Sequence, residues 1–452
     1  MKRREFLKTT AQGALLSTIL TRQVFSDQKS THPNIILIMA DDMGYECLSC
    51  YGSLDYQTPR LDQLAKTGIQ FTQCHAQPLC TPSRVKIMTG LHNFRNYEAF
   101  GYLNPNQRTF AQVLKDAGYA TCIAGKWQLN GIYKNKGDGP KPGWEDNSRP
   151  HHFGFDEYCL WQLTKEKKLG ERYANPLIEQ NSSFLIGLEE QYGPDIFVNF
   201  MIDFIQRHQN QPFLIYYPMA LVHAPFVPTP DSEEWADKNR RSRSDPKFFK
   251  DMVEYSDKII GQLVDALEKL GLRENTVLMF TGDNGTDRRI TTRTVNGPIT
   301  GGKGTTTAAA THVPLIVNWP AEIRIGQIYE ELIDFSDFFP TLADIAGIKV
   351  QSDGQSFYNL LVGEPYQPRE IVLIHYDPKW PFGEKHRNRF VLTKEYKLYQ
   401  DGRFYAVKKD PLEQQPLILE KCSSDEIRIY HQLKAVLAQA PPWIQQEGGE
   451  KN

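Results

Sequence analysis

Short runs of consecutive hydrophobic residues recur along the chain and alternate with segments that have helical spacing. Because these runs are hydrophobic throughout, they indicate strands that are covered on both faces. The clearest are Asn34–Ala40, Ala120–Ala124, Phe213–Tyr217, Val277–Thr281 and Leu315–Asn318. Hydrophobic residues at helical spacing predict helices over 58–67, 109–117, 255–270 and 336–346. The alternation predicts an α/β fold, with a large, mostly parallel sheet flanked by helices.

The pattern changes after about residue 378. Short alternating strands at 389–393, 396–399 and 403–407 predict a small antiparallel C-terminal subdomain. We therefore expect a main α/β domain at 32–378 and a C-terminal subdomain at 379–452. Residues 134–152 are rich in glycine, proline and charge, which predicts a long surface loop.

The N-terminus has the features of an export signal. Arg3 and Arg4 precede Phe6-Leu7-Lys8 and a short apolar stretch, which resembles a bacterial twin-arginine signal spanning 1–26. The alternative is a basic disordered tail. The apolar stretch is too short to span a bilayer, so we expect no stable membrane insertion and a periplasmic or secreted protein.

The amino-acid composition limits which binding partners and which cysteine pairings are expected. The formal net charge is -2, from 52 basic and 54 acidic residues, which gives no electrostatic reason to expect nucleic acid as a partner. Seven cysteines are an odd number for an exported protein, so at least one is expected to be unpaired, and a disulfide framework is not expected. Cys47 and Cys50 form a CxxC pair, but no second pair follows at zinc spacing.

Polar residues follow directly after four of the predicted strands. In open α/β sheets, ligands bind beyond the carboxyl ends of the strands, so these loops are expected to converge. Their oxygen ligands suit Ca²⁺ or Mg²⁺ better than zinc, although each acidic pair taken alone could be a helix cap or a turn. The residues concerned are Asp41, Asp42, Lys126, His223, Asp283 and Asn284.

Cationic side chains are needed to balance these carboxylates. Lys126, Arg84 and Lys303 are the candidates, and Lys303 lies in a glycine-rich loop that lacks phosphate-loop spacing. His223 is either part of the site or a satisfied core histidine. Cys80 precedes Pro82, which fits the first turn of a helix, so it lies near a helix end that favours an anion. The alternative is that Cys80 is a small buried hydrophobic residue.

Cys80-Thr81-Pro82-Ser83-Arg84, closed by Thr89-Gly90, resembles the signature of the type I sulfatases in the alkaline-phosphatase-like superfamily. This motif is highly specific. The resemblance continues in the family's order from about residue 32 to 360. It includes the segments 33–44, 125–127, 223–225, 281–285, 302–304, 313–314, 337–342 and 353–356.

The resemblance implies a sulfuric ester hydrolase that acts on a sulfated poly- or oligosaccharide. A formylglycine-generating enzyme would convert Cys80 to formylglycine, whose gem-diol form is the nucleophile in this family. The implied ligands of one Ca²⁺, with Mg²⁺ possible, are Asp41, Asp42, Cys80, Asp283 and Asn284. The implied catalytic residues are Cys80, Arg84, Lys126, His223 and Lys303.

Two departures from the family pattern affect this interpretation. Gln128 stands where many members have a histidine that helps to deprotonate the diol, and an amide is no general base. His312 lies in a segment where many members have an arginine, so it either replaces that arginine or faces solvent. Gln128, His312 and His151 are our candidate substrate-binding residues, the last from a loop that could equally well be ordinary packing.

Two rival functions stay open at this stage. One is a phosphonate or phosphodiester hydrolase of the same superfamily, which would use the same formylglycine. The other is a catalytically silent protein that binds sulfated glycans and has lost turnover through Gln128.

Overall fold

The computed structural model describes residues 32–132, 141–164, 171–323, 326–379 and 386–443. The predicted export signal at 1–26 and residues 134–140 of the predicted surface loop lie outside this part. Among the described helices, none is long and apolar enough to cross a membrane. All seven cysteines lie in the described part and all are free.

Residues 32–443, so far as they are described, contain seventeen strands. In chain order they are β1 Asn34–Ala40, β2 Ile69–His75, β3 Ala120–Lys126, β4 Glu157–Trp161, β5 Ile178–Gln180, β6 Ser183–Phe184, β7 Phe213–Pro218, β8 Thr276–Gly282, β9 Thr291–Thr294, β10 Gly297–Thr300, β11 His312–Asn318, β12 Gln327–Tyr329, β13 Ile333–Asp334, β14 Val372–Tyr376, β15 Asn388–Leu392, β16 Lys397–Tyr399 and β17 Phe404–Tyr405.

Eleven α-helices belong to the same part of the chain. They are α1 Pro59–Thr67, α2 Cys80–Thr89, α3 Asn93–Asn96, α4 Phe110–Asp116, α5 Arg149–His152, α6 Gly193–Arg207, α7 Phe249–Lys269, α8 Ala308–Thr311, α9 Phe338–Ile345, α10 Tyr358–Leu361 and α11 Ser424–Gln439. Short 3₁₀ turns lie between them, such as Tyr45–Cys47 and Phe335–Asp337.

Eleven strands form one large sheet in the order β12-β2-β11-β8-β1-β7-β3-β4-β5-β6, with β13 also paired to β2. The centre of the sheet is parallel, because β1 pairs in parallel with both β7 and β8, and β3 pairs in parallel with β7 and β4. Strand β11 runs antiparallel to β8 and β2. The predicted α/β architecture with a mostly parallel sheet is therefore confirmed.

A hydrophobic core covers each face of the large sheet. Alternate side chains of β1 point to opposite faces, so that Ile36 and Ile38 belong to one core while Ile35 and Leu37 belong to the other. Helices α1, α6 and α7 contribute to the first core, and α2, α4 and α9 to the second. Full coverage explains why β1 is hydrophobic from Ile35 to Ala40.

A second sheet, antiparallel in the order β14-β15-β16-β17, lies in the C-terminal part as predicted. Its first strand, Val372–Tyr376, precedes the expected boundary at residue 379. Helix α11 covers one face through Leu433 and Leu437. The other face packs with Leu79 and Cys80, at the start of α2. The C-terminal sheet is thus in direct contact with the segment that carries Cys80.

Candidate active site

Three buried carboxylates and one amide meet at the carboxyl ends of β1 and β8. These strands are parallel neighbours with Ala40 opposite Gly282, so the residues that follow them lie side by side. The backbone N–H of Asp42 donates to Oδ1 of Asp283 at 3.1 Å, and Nδ2 of Asn284 donates to Oδ1 of Asp42 at 2.9 Å. These residues form one cluster, as the sequence predicts from their positions directly after the strands.

Each carboxylate of the cluster has a cationic partner. Nζ of Lys126 lies 2.7 Å from Oδ2 of Asp41, and Nζ of Lys303 lies 2.6 Å from Oδ2 of Asp42. Nη2 of Arg84 lies 2.8 Å from Oδ2 of Asp283. Lys126 is the last residue of β3, whereas Arg84 is on α2 and Lys303 is in the loop before α8, so three separate elements supply the positive charge.

The crowding of carboxylates perturbs their pKa values. Burial and the negative charge of Asp41 raise the pKa of Asp283 to about 7. Burial also raises the pKa of Asp42, against the opposing effect of Lys303. The pKa of Asp41 is lowered, because the charges of Lys126, Arg84 and their neighbours outweigh burial. The three carboxylates therefore differ in how readily they ionise, and Asp41 is the one that loses its proton most easily.

The residues present fit a divalent cation. Ligand atoms of Asp41, Cys80 and Asp283 lie within 4.8 Å of one another. Oδ1 of Asp41 and Oδ1 of Asn284 are buried and accept no hydrogen bond in the described part of the chain. Unpaired buried oxygens are costly, and hard oxygen donors are the ligands that Ca²⁺ prefers. The ligands would be the predicted set, Asp41, Asp42, Cys80, Asp283 and Asn284.

Cys80 is the first residue of α2 and is 2% exposed. The open backbone N–H groups and the helix dipole at this end favour negative charge on the residue. Arg84 lies one turn further along α2, on the same side of the helix. The far end of α2 is fixed by a buried ion pair between Lys86 and Asp334 at 2.7 Å.

His223 is neutral and is hydrogen-bonded to Lys303. Its Nδ1 lies 2.6 Å from the carbonyl oxygen of Ala224, which only accepts, so Nδ1 carries the proton. Its Nε2 lies 3.0 Å from Nζ of Lys303 and accepts from that ammonium group. Burial and the charge of Lys303 lower the pKa of His223 well below its ordinary value. His223 thus belongs to the site and is not an isolated core histidine.

Gln128 follows β3 with a positive φ of 61° and is nearly buried. Its side-chain oxygen Oε1 is buried and has no hydrogen-bond partner among the described residues. The neighbouring Trp127 donates from Nε1 to Asn130 at 2.7 Å. The amide of Gln128 therefore has a buried acceptor that no described residue pairs with.

The two candidate histidines contact groups other than the carboxylates of the cluster. Nδ1 of His151 lies 2.8 Å from the carbonyl oxygen of Phe155. His312 stacks on Tyr45 at 4.0 Å between ring centroids, and its Nε2 lies 2.8 Å from the carbonyl oxygen of Thr72. Burial lowers the pKa of His312 to about 4, so the ring does not supply the positive charge of an arginine.

Two residues that lie outside the sequence motifs are also close to the site. Glu46 accepts a hydrogen bond from Thr286 at 2.6 Å, and Thr286 accepts one from the backbone of Gly44, so this pair joins the loops after β1 and β8. Arg172 lies over the ring of Trp161, at the end of β4. Neither residue falls in a motif, so only the folded chain reveals them.

The sulfatase family profile matches residues 33–348, which include every residue of the cluster. The chain belongs to the sulfatase family. A second profile, described as N-sulphoglucosamine sulphohydrolase, C-terminal, matches residues 305–440. The family and its alkaline-phosphatase-like superfamily are thus the ones that the Cys80 motif indicated, and the protein is a sulfatase enzyme.

Named relatives agree with this assignment. Human arylsulfatase A is 32% identical over 385 residues, which cover 77% of this chain and 71% of the relative. An N-acetylgalactosamine-6-O-sulfatase from Bacteroides thetaiotaomicron is 30% identical over 440 residues, covering 80% and 83%. A solved structure in complex with its substrate D-glucosamine-2-N,6-O-disulfate matches with a TM-score of 0.69 and 23% identity, covering 90% and 97%. This last likeness shows the fold.

Proposed function

We propose that this sulfatase removes sulfate from a sulfated carbohydrate and that Cys80 is converted to formylglycine before it acts. The observation that carries the proposal is the position of Cys80, at the N-terminus of α2 and within 4.8 Å of ligand atoms of Asp41 and Asp283. The named relatives include an N-acetylgalactosamine-6-O-sulfatase, and a protein of this fold binds a sulfated glucosamine. Both support a sulfated sugar as the substrate class.

Two groups would complete the site. Formylglycine at position 80 would supply, in its hydrated form, an oxygen nucleophile that a thiol does not provide. A divalent cation, Ca²⁺ or alternatively Mg²⁺, would supply positive charge opposite the oxygens of the sulfate group. We propose Asp41, Asp42, Asp283, Asn284 and residue 80 as its ligands.

Lys303 is suited to hold the sulfate. Its ammonium group has three hydrogens, and Asp42 and His223 accept two of them. The third hydrogen is left for a sulfate oxygen. Because Asp42 raises the pKa of Lys303 against the effect of burial, the side chain stays charged at neutral pH.

His223 and Lys303 together provide a route for the proton that the departing alcohol needs. The hydrogen bond between Nζ and Nε2 allows a proton to pass from the lysine to the histidine or directly to substrate. Arg84 and Lys126 have a different role, because both are ion-paired to carboxylates deep in the cluster. They stabilise negative charge beside residue 80.

Gln128 takes the place of a proton acceptor but does not act as one. Its unpaired Oε1 accepts a hydrogen bond from a hydroxyl group, and its amide nitrogen donates one. We propose that Gln128 orients the group at position 80 or the bound sugar, and that sulfate release is slower than with a histidine at this position.

The protein also has to be exported, and Cys80 has to be modified, before it acts on its substrate. We propose that the segment 1–26 directs twin-arginine export to the periplasm or beyond, and that a formylglycine-generating enzyme modifies Cys80. N-terminal sequencing of the exported protein tests the first point. A mature N-terminus close to residue 27 is expected, whereas retention of Arg3 and Arg4 on exported protein contradicts it.

The decisive experiment is a peptide mass spectrum of the native protein, followed by sulfate release from a panel of sulfated sugars. The expected result is an aldehyde at position 80 and turnover that Cys80→Ala abolishes. Cysteine alone at position 80, with unimpaired glycan binding and no sulfate release, would favour a silent glycan-binding protein. Faster hydrolysis of a phosphodiester than of the matched aryl sulfate would favour a phosphodiesterase.

A further inference from the structure

Among the residues that the structure describes, Arg172 is a buried cation without a counter-ion. Only 3% of the residue is exposed, and its guanidinium carbon lies 4.1 Å from the centroid of the Trp161 ring. Nη1 is buried and has no hydrogen-bond partner among the described residues. Within that part of the chain, no carboxylate lies within ion-pair distance of Arg172.

The other buried lysines and arginines of the described part each have an ionic or hydrogen-bonding partner, although Nε of Arg84 and Nε of Arg149 are also unpaired. Four form ion pairs with carboxylates: Arg84, Lys86, Lys126 and Lys397. The remaining two donate hydrogen bonds to a backbone carbonyl or a histidine: Arg149 and Arg389. Burying a charge without a partner is costly, and a cation–π contact offsets only part of that cost. Among the described residues, Arg172 has the rings of Trp161 and Tyr173 beside it but no carboxylate, and its Nη1 is left unpaired.

The position of Arg172 connects it to the active site. Trp161, over which it lies, ends β4 directly opposite Lys126 of β3, at the carboxyl edge of the sheet. The next residue, Tyr173, donates from its hydroxyl group to the carbonyl oxygens of Ala220 and His223, at 2.7 and 2.6 Å. Arg172 is thereby fixed beside the His223 loop, and its charge adds to the effects of burial and Lys303 that lower the pKa of His223.

The cations already described are committed to other groups. Arg84, Lys126 and Lys303 each neutralise a carboxylate of the metal site, and Lys303 keeps one hydrogen for the scissile sulfate. Arg172 neutralises none of these carboxylates. Nη1 of Arg172 is unpaired among the described residues, and a planar guanidinium binds sulfate and carboxylate oxygens in a forked geometry, which a lysine does not reproduce.

We propose that Arg172 binds a second anionic group, a sulfate or a carboxylate, on the sugar that carries the scissile sulfate or on its neighbour. The inference rests on the proposed action on sulfated carbohydrates and adds a substrate preference to it. Arg172 thereby makes the enzyme selective for sugars with two anionic groups over sugars with one.

The test compares kcat/KM for matched pairs of sugars in the metal-loaded enzyme with formylglycine at position 80. One arm pairs a monosulfated sugar with its disulfated form, and the other pairs a neutral disaccharide sulfate with its uronate analogue. The wild type is expected to prefer the doubly anionic member in one arm, which identifies the second group. In Arg172→Gln the ratio of the two kcat/KM values falls by about 10- to 100-fold, mainly through KM, as expected for hydrogen bonds to a charged group.

Two further variants separate binding from structure. Arg172→Lys keeps the charge but loses the fork, so its ratio should fall between those of the wild type and Arg172→Gln, and it decides the test should Arg172→Gln fail to fold. Arg389→Gln is the matched control, because Arg389 is also buried over a tryptophan, Trp443, but on the C-terminal sheet. It should keep the wild-type ratio.

An unchanged ratio in the Arg172 variants overturns the inference, as does a wild type with no preference in either arm. Either result leaves the proposed function standing when the monosulfated sugars are desulfated. Failure of the wild type to desulfate any sugar, with formylglycine present, instead refutes the proposed function and the inference with it.

Discussion

Replacing Asp283 with asparagine isolates the electrostatic role of one carboxylate in the cation site. Its Oδ2 lies 2.8 Å from Nη2 of Arg84, and its Oδ1 accepts the backbone N–H of Asp42. Asparagine has nearly the same shape and keeps one oxygen, so that the packing around the site is preserved. The change removes one negative charge from a cluster of three carboxylates.

The size of the effect follows from the charges. Two unit charges about 4 Å apart interact by about 4 kcal/mol at an effective dielectric constant near 20, and a divalent cation doubles this. Asparagine still offers an oxygen, so we expect Asp283→Asn to lose calcium affinity by about 100-fold or more. Because burial and Asp41 raise the pKa of Asp283 to about 7, the metal-free protein is not expected to lose stability.

Calcium affinity is measured at pH 7.5 after dialysis against a chelator, by calorimetry and by the rise of Tm with added CaCl₂. The matched control is Asp257→Asn on α7. This carboxylate is also buried, but it accepts backbone N–H groups of Arg60 and Leu61. We expect it to lower Tm without changing calcium affinity. The prediction is refuted if Asp283→Asn binds calcium as tightly as the wild type does, or if the Tm of the wild type does not rise with added calcium.

Three other substitutions test separate parts of the argument. Lys303→Met removes the ammonium hydrogen that we propose binds the sulfate. In steady-state assays kcat/KM should fall by about 100- to 1000-fold, and unchanged turnover would exclude sulfate binding by Lys303. Gln128→His places a base where the amide oxygen has no partner among the described residues. The single-turnover rate of sulfate release should then increase and should depend on pH with an apparent pKa near about 6.5. A rate that does not change with pH would contradict this prediction. Burial lowers the pKa of Lys397 to about 8, although the neighbouring Glu413 opposes this shift. The unfolded chain then binds more protons between about pH 8 and 10.5, so wild-type stability rises across this window. Urea unfolding should show the destabilisation by Lys397→Met growing by up to about 3 kcal/mol over the same range, while the exposed Lys408→Met shows no such trend.

The central strands and the carboxylate cluster could be predicted from the sequence because each depends on local pattern. Asn34–Ala40 was predicted with its observed bounds, since a strand buried on both faces is hydrophobic throughout. Asp41 and Asp283 directly follow strands of one parallel sheet, and that topology alone brings them together. The helices α1 and α4 were predicted to within about a residue at each end.

Elements whose hydrophobic pattern is broken were missed. Strand β2 carries polar residues among apolar ones, and it joins the sheet through tertiary pairing with β11 and β12. The amphipathic helices α6 and α11 begin in polar segments, and their apolar faces become clear only against the sheets that they cover. The sequence also did not predict which cation pairs with which carboxylate, because this depends on side-chain rotamers and on loops that are far apart in the chain.

The C-terminal sheet completes the active site. Tyr399 of β16 donates from its hydroxyl group to Oγ1 of Thr306 at 2.9 Å, and Nζ of Lys397 donates to the backbone oxygen of Thr306. Tyr376 of β14 donates to the backbone oxygen of Gly304 at 3.4 Å. These contacts hold the loop that carries Lys303, so the position of this ammonium group, which we propose as a sulfate ligand, depends on strands after residue 371. A chain ending at residue 378 would keep every residue of the motif but lose two of these three supports, and we infer that it would not hold Lys303 in place for catalysis.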